Sequence, residues 1–485
     1  MKLLDQVKAA RRVSVPILSI STTDPAATVA RLSEGINGDA PKIQWDIVRG
    51  VRPLNDAGAV AIAAFGDPDA TVQNWVGTLT AASELPEGCV LFIHNANRYL
   101  DDPAFIQAIW NLRDQFKQDR RMLILLGCDI TLPPELAGDV VSFDEPLPDQ
   151  ASIEATIKEV HDAAGLTVSD ETLAKAVAAT TGLPTFQVEQ LTAMSLTPDG
   201  IVLDDLWERK RRQIEQTPGL SVYRGTETFE DVGGLASAKE YFYKLCTGLE
   251  SPQAIVWIDE IDKQMSGDGD LSGISQDQLG ALLTYMENTE AEGVLCLGPP
   301  GCSKSLIAKA TGNEVQVPTV GFDFGAMKGG IVGQSETQIR NALKVVSSVS
   351  NSKPLFVATA NSIDRLNTAL LRRFPMTFYM DLPDRDEKSK IWPIHLAKQE
   401  VACESAIDDR NWSGADIRNC CKIARKLGCP VEIAAKWIVP VGVRSAKEIE
   451  RLRNQANGAF LSASYPGFYR TASKDENRGR RLDLN

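Results

Sequence analysis

The chain has 485 residues, 43% hydrophobic and 24% charged, with a formal net charge of −13. That length allows about two to four domains with separate cores, and the acidic balance argues against broad nucleic-acid binding. No apolar run is long enough to span a bilayer and Met1–Gln6 carries no signal-peptide core, so a cytoplasmic protein is the default expectation. Nine cysteines without a Cys-x-x-Cys pair fit reduced thiols better than a disulfide framework. Three scattered histidines argue against a His/Cys metal site.

In chain order, residues 1–148 read as an open α/β sheet. Val13–Ser21 predicts a strand, Asp24–Leu32 a helix, and Val90–Ile93 and Met122–Gly127 short buried strands. Between these two strands, Phe105, Ile109, Leu112 and Phe116 recur at helical spacing. No phosphate-binding loop follows the first strand, where Ser19–Asp24 stands. His94-Asn95 follows the strand whose end would otherwise carry an acid pair. A catalytic His94 is weighed against a strand-end remnant without chemistry, and the remnant is preferred. Residues 149–203 predict a small helical lid broken at Gly182–Pro184. Residues 204–219 predict a charged linker, whose Glu208–Arg212 run is weighed as a contact for acidic partners against a solvated face, and the solvated face is preferred.

Residues 220–384 carry the chemistry. Phe229–Leu235 precedes a helix, and Ala254–Ile258 is an apolar strand delivering Asp259 and Glu260 to a sheet edge. Ser275–Asn288 is an amphipathic helix. Val294–Leu297 then leads into Gly298-Pro-Pro-Gly-Cys-Ser-Lys-Ser305, followed by a helical pattern. Strand, glycine-rich turn and helix form a phosphate-binding loop, with backbone N–H groups and the helix N-terminus cradling phosphates. Lys304 reaches the β/γ-phosphates and the Ser305 hydroxyl ligates Mg²⁺; Asp259 holds the Mg²⁺ shell and Glu260 polarises the attacking water. Ser303 stands where G-x-x-x-x-G-K-[ST] requires glycine. Met327–Glu336 is a glycine-rich loop entering a helix, with Ser335 as candidate cap. Leu355–Asn361 is a strand ending in an amide suited to a γ-phosphate or its water, and Arg372-Arg373 precedes the last strand. Residues 385–461 predict a second helical lid, within which Trp412–Ile417 opens a helix running to about Lys426, and 462–485 a polar, disordered tail.

Phe229–Leu235, Gly298–Ser305, Ile255–Asp262, Gly333–Glu336, Ala358–Asn361, Leu371–Phe374 and Ser413–Asp416 together resemble the motif set of the AAA clade of AAA+ ATPases. Within it the chain is similar to the AAA proteins of cyanobacterial and plastid genomes. Their N-terminal half is likewise an AAA-like module without nucleotide motifs, and Trp45–Gly50 and Pro133–Leu136 look like that half. The resemblance implies a P-loop AAA+ module with a helical lid, preceded by a degenerate AAA-like α/β module with its own lid. It implies ATP binding by Val232, Gly233, Pro300, Gly301, Cys302, Ser303, Lys304, Ser305, Leu306, Asp259, Gly414 and Ala415. Ser305 and Asp259 would hold Mg²⁺, and Glu260, Asn361 as sensor 1, and Arg372 and Arg373 as fingers into a neighbour would be catalytic. Two features depart from the family beside Ser303. The Asp-Glu strand precedes the phosphate loop in the chain, a permuted strand order with about Ser251–Gly293 moved forward, still compatible with the family's sheet order and right-handed crossovers. Ile331 stands near the place of the pore-loop aromatic. Cys302 beside the phosphates reads as a tolerated small residue rather than a redox-sensitive thiol.

The reading that follows is an ATP-hydrolysing oligomer, a hexameric ring by resemblance, that remodels an unknown protein client, with no membrane and no nucleic-acid partner. Its rival is a nucleotide-gated scaffold with little turnover, favoured by Ser303, the strand order and Ile331.

Overall fold

The computed structural model describes residues 3–128, 130–265, 274–291, 293–327, 334–364, 366 and 368–471. The chain forms two compact units, Met1–Val177 with Leu183–Ile201, and Ala178–Gly182 with Val202–Asn485.

The first unit is built on strands β1 (Ile17–Ser21), β2 (Lys42–Asp46), β3 (Gly50–Pro53), β4 (Val90–Ile93), β5 (Met122–Gly127) and β6 (Val141–Asp144), in the spatial order β3-β2-β4-β5-β1-β6. All neighbours are parallel except β2 and β3. The central strands are continuous apolar runs because both faces are covered. In β5, Leu123 and Leu125 join the core of helix Pro103–Gln118, while Met122, Ile124 and Leu126 face the opposite layer. The first strand starts at Ile17 rather than Val13, since helix Leu3–Arg12 and the turn after it use the preceding residues and leave Val13 exposed. After β1, Asp24 caps helix Pro25–Gly35 by accepting from the Ala27 amide at 3.1 Å. A carboxylate thus already occupies the position where a phosphate would sit. His94 is tied to Gln44 Oε1 at 3.0 Å, and burial pushes its imidazole below the ordinary value. Helices Gln150–Ala163 and Thr185–Met194 pack together ahead of the small hairpin β7 (Leu196–Thr197) and β8 (Gly200–Ile201).

The second unit carries β9 (Leu220–Val222), β10 (Ala254–Ile258), β11 (Gly293–Leu297), β12 (Thr319–Phe322), β13 (Pro354–Ala360), β14 (Met376–Tyr379) and β15 (Leu461–Ser462). Their spatial order is β15-β14-β11-β13-β10-β12-β9, parallel except for the edge strand β9. Phe356, Ala358 and Ala360 of β13 pack with Ile339, Ala342, Leu343 and Val346 of helix Gln334–Val349. On the other face Leu355 and Val357 meet Ile307, Ala308 and Ala310 of helix Lys304–Glu314. The two sheets share a frame. Across β2-β4-β5-β1-β6 and β12-β10-β13-β11-β14, one change of chain order separates them. The strand second from the left comes after the first two of its series in the first unit and before them in the second. The phosphate-loop strand β11 and the acid-pair strand β10 therefore both lie beside β13.

Three further expectations differ from the structure. Helix Gln334–Val349 begins one residue before the candidate cap Ser335, and Ile331 lies outside the described residues. Lys210 of the basic linker run is buried rather than solvated, donating to the Thr181 carbonyl at 2.9 Å, and desolvation pushes it down to about 8. The start of the expected disordered tail is folded. Ser462 pairs with Tyr379 in the sheet, and the Tyr469 hydroxyl donates to Asp381 at 2.6 Å, its ring packed at a tilt against Tyr379 with centroids 4.5 Å apart. Asp381 also accepts from Arg453 Nε, so the last lid helix and the chain after it are anchored beside the end of β14.

Gly298 closes β11 where a Cβ would lie 2.1 Å from the Met380 carbonyl, whereas Gly280, at an exposed position of helix Ile274–Asn288, has nothing within 4 Å. Gly298→Ala should therefore lower stability in urea denaturation, and Gly280→Ala should raise it by about 0.5–1 kcal/mol.

Candidate nucleotide site

The loop from Gly298 into helix Lys304–Glu314 turns through two left-handed residues, Gly301 (φ +82°) and Ser303 (φ +60°). A Cβ at Gly301 would approach Ser413 Oγ to 2.7 Å and Ala415 Cβ to 2.8 Å. Glycine there lets the lid helix Gly414–Leu427 close on the loop, and the Ala415 amide donates to the Gly301 carbonyl at 3.1 Å. Ser303 sits at the N-cap without a side-chain cap hydrogen bond, so it takes up none of the first amides of the helix. This is the reverse of the arrangement at Asp24 in the first unit. A Cβ in the left-handed region costs about 1–2 kcal/mol, the local consequence of serine replacing glycine.

Lys304 is buried, its ammonium donating to the carbonyls of Gly298 (2.8 Å) and Pro299 (2.6 Å). Burial pushes it below the ordinary lysine value, partly countered by neighbours including Asp262 and Asp259. Asp259 Oδ1 accepts from the Ser305 hydroxyl and the Thr359 hydroxyl, both at 2.6 Å. The Thr359 oxygen in turn accepts from the Glu260 amide at 2.9 Å. Asn361 Nδ2 donates to Glu260 Oε1 at 3.0 Å, and its amide to Asp262 Oδ1 at 3.2 Å. Asp259, Glu260, Ser305 and Asn361 are thus brought to one sheet edge from three elements.

These groups line a cleft of about 250 Å³ with Pro300, Gly301, Ser303, Lys304 and Leu306, and with Gly414 and Ala415 from the lid. Gly233 closes one side, where a Cβ would stand 2.3 Å from Ile391 Cγ1. Val232 and Cys302 turn their side chains into the core instead. Burial raises the Cys302 thiol to about 12, which makes it unreactive at neutral pH. Arg372 and Arg373 are not in the cleft. Arg372 is exposed, and Arg373 pairs with Glu287 at 2.7 Å. The oxygen set around Ser305 and Asp259 is hard and sparse, which suits a cation that keeps waters and phosphate oxygens as its other ligands.

Sequence reasoning missed Thr359, Ile391, Ile394, His395 and Arg418, which also line the cleft. Thr359 was within reach, since it lies two residues beyond Val357 on the face of β13 turned to the loop helix. Ile391, Ile394 and His395 share one face of helix Arg385–Gln399 at helical spacing. Burial pushes the His395 imidazole to about 4, assisted by Arg418, Lys398 and Lys422, so it is neutral at physiological pH.

Two measurements follow from this geometry. Ser303→Gly should stabilise the protein by up to about 1 kcal/mol in urea denaturation while retaining nucleotide binding. Unfolded His395 titrates near the ordinary 6.5 and folded His395 near 4, so the unfolded chain binds more protons between those values. The stabilisation from neutral His395 is complete above pH 6.5 and lost as pH falls toward 4. His395→Gln should flatten that part of a stability–pH curve.

Comparison with known proteins agrees with this geometry. The N-terminal domain of SpoVK-like AAA ATPases matches residues 3–145, and the ATPase family associated with various cellular activities (AAA) matches residues 294–354. The chain is 22% identical to the uncharacterized AAA domain-containing protein ycf46 of Guillardia theta, over 95% of this chain and 96% of that protein. It is 24% identical to the ycf46 protein of Pyropia yezoensis, over 77% of this chain and 83% of that one. It is 26% identical to the ATP-dependent zinc metalloprotease FtsH of Parabacteroides distasonis, over 41% of this chain and 32% of that protein. The chain thus carries matches to the N-terminal domain of SpoVK-like AAA ATPases and to the AAA domain, and its second unit sets a phosphate loop and an acid pair on either side of one strand.

Proposed function

We propose that the protein binds and hydrolyses ATP with Mg²⁺ in an oligomer that remodels a protein partner. The observation that carries this reading is the shared Asp259 oxygen, bonded to the Ser305 hydroxyl and the Thr359 hydroxyl beside Glu260. Mg²⁺ held through Ser305 and Asp259 would neutralise charge on the phosphate oxygens. Lys304 is poised to exchange the Gly298 and Pro299 carbonyls for β/γ-phosphate oxygens. Glu260 accepts the proton of the attacking water, and Asn361 orients that carboxylate. Ala415 couples the lid to the loop through Gly301.

Arg372 and Arg373 lie outside their own cleft, which supports a role at a neighbour's nucleotide and hence an oligomer, a hexameric ring by family resemblance. The first unit, with its loop position closed by Asp24, is assigned to partner recruitment. We further propose that the acid-pair segment is a relocated piece of the module. The AAA match stops at residue 354, where β13 begins, and the two sheets differ in chain order by that one strand. The nine free thiols favour a cytoplasmic or equivalent reducing compartment.

Steady-state ATPase measurements test the reading. Glu260→Gln should lower kcat by about 100-fold or more while ATP still binds. The wild-type rate per subunit should fall on dilution, as a site completed by a neighbour requires. Equal rates in wild type and Glu260→Gln, or bound ATP without turnover, would move the assignment to a nucleotide-gated scaffold. That alternative draws on the strained Ser303.

A further inference from the structure

Glu260 is engaged beyond what the hydrolytic arrangement needs. Its Oε1 accepts from Asn361 Nδ2 at 3.0 Å and from Lys263 Nζ at 2.8 Å, and its Oε2 accepts from the same ammonium at 2.8 Å. The Lys263 amide also donates to the Glu260 carbonyl at 2.8 Å, so lysine and glutamate close one turn on each other. Glu260 itself is left-handed (φ +47°), with its amide pinned to Thr359. The backbone thus presents the carboxylate to Lys263 at the start of helix Ile261–Met265. A carboxylate offers about four lone-pair sites, and here three are taken by Lys263 and Asn361. A water that must give its proton to Glu260 is left about one direction while the ammonium stays in place. Lys304, the lysine that lines the cleft, takes no part, since it is bonded to backbone carbonyls.

We propose that Lys263 is a positioning residue that clamps Glu260 in a resting arrangement and has to swing off before Glu260 can take a proton from water. The proposal rests on the ATPase reading above. Lys263 keeps 57% of its side chain exposed, so the ammonium can leave Glu260 for solvent without disturbing the core. A half-exposed pair of this kind is weak enough to release in each cycle and strong enough to bias the resting state.

The test is steady-state ATPase of the full chain with Lys263→Met, Lys263→Arg and the double variant Lys263→Met/Glu260→Gln. Binding of a fluorescent ADP analogue serves as the check on the fold. Lys263→Met should raise kcat about two- to fivefold, the range such an ion pair supports, with KM for ATP unchanged. Lys263→Arg, which keeps the charge, should return the low rate, and the double variant should fall to the level of Glu260→Gln alone. An inactive wild type with an active Lys263→Met would also support the clamp. An unchanged or lowered kcat in Lys263→Met beside an active wild type overturns the clamp and leaves the ATPase reading standing. A rise that persists in the double variant overturns it too. Wild type and Lys263→Met both inactive with nucleotide bound overturns both readings.

Discussion

One carboxylate oxygen organises the second unit. Asp259 Oδ1 accepts from a hydroxyl at the start of the phosphate-loop helix and from a hydroxyl at the end of β13. These bonds join the ends of three elements that are far apart in sequence but adjacent in the sheet. An aspartate cannot accept from both unless β10 lies beside β13 and β13 beside β11, the register recorded by the Ile258–Ala358 and Leu297–Ala360 pairs. The order of strands in space, rather than in the chain, is therefore what the chemistry depends on. The acid-pair strand precedes the phosphate loop in the chain and still lies one strand away from it in the sheet.

The same frame appears twice with opposite chemistry at its open edge. In the first unit the turn after β1 ends in Asp24, whose side chain satisfies the helix amides. In the second the turn ends in left-handed Ser303, which satisfies none through its side chain. A carboxylate cap and a bound phosphate compete for the same donors and the same dipole end. The two frames thus differ in the conformation and hydrogen bonding of this one cap residue.

The lid is held by polar contacts at both ends of its polypeptide. Asp416 closes a capping box on Ser413 and also accepts the Val441 amide at 3.1 Å, which fixes the start of the helix that meets the phosphate loop. Glu387 Oε1 accepts from the Leu235 amide and the Ser464 hydroxyl, drawing the glycine turn near Gly233 and the chain after β15 to the first lid helix. Asp381, taken by Arg453 and Tyr469, closes the circuit beside β14. The start of the lid helix is in turn tied to the phosphate loop through the Ala415 amide and the Gly301 carbonyl.

The sequence alone determined the elements whose signal is local. The continuous apolar runs of β4, β5 and β13 and the stripes of the helices around Phe105 and Ile339 follow from backbone periodicity. The phosphate loop with Asp259-Glu260 follows from motifs whose chemistry is carried by neighbouring residues. Tertiary structure decided what depends on distant contacts. It paired Arg373 with Glu287 and turned Val232 and Cys302 into the core. It brought Thr359, His395 and Arg418 to the site, and it folded the chain from Ser462 to Thr471 against Asp381 and β14. Those outcomes turn on which face of an element meets which neighbour, and periodicity narrows such a choice without naming the partner. The relation of the two sheets belongs to the same class, because chain order constrains which strands can be neighbours but only packing selects which of them are.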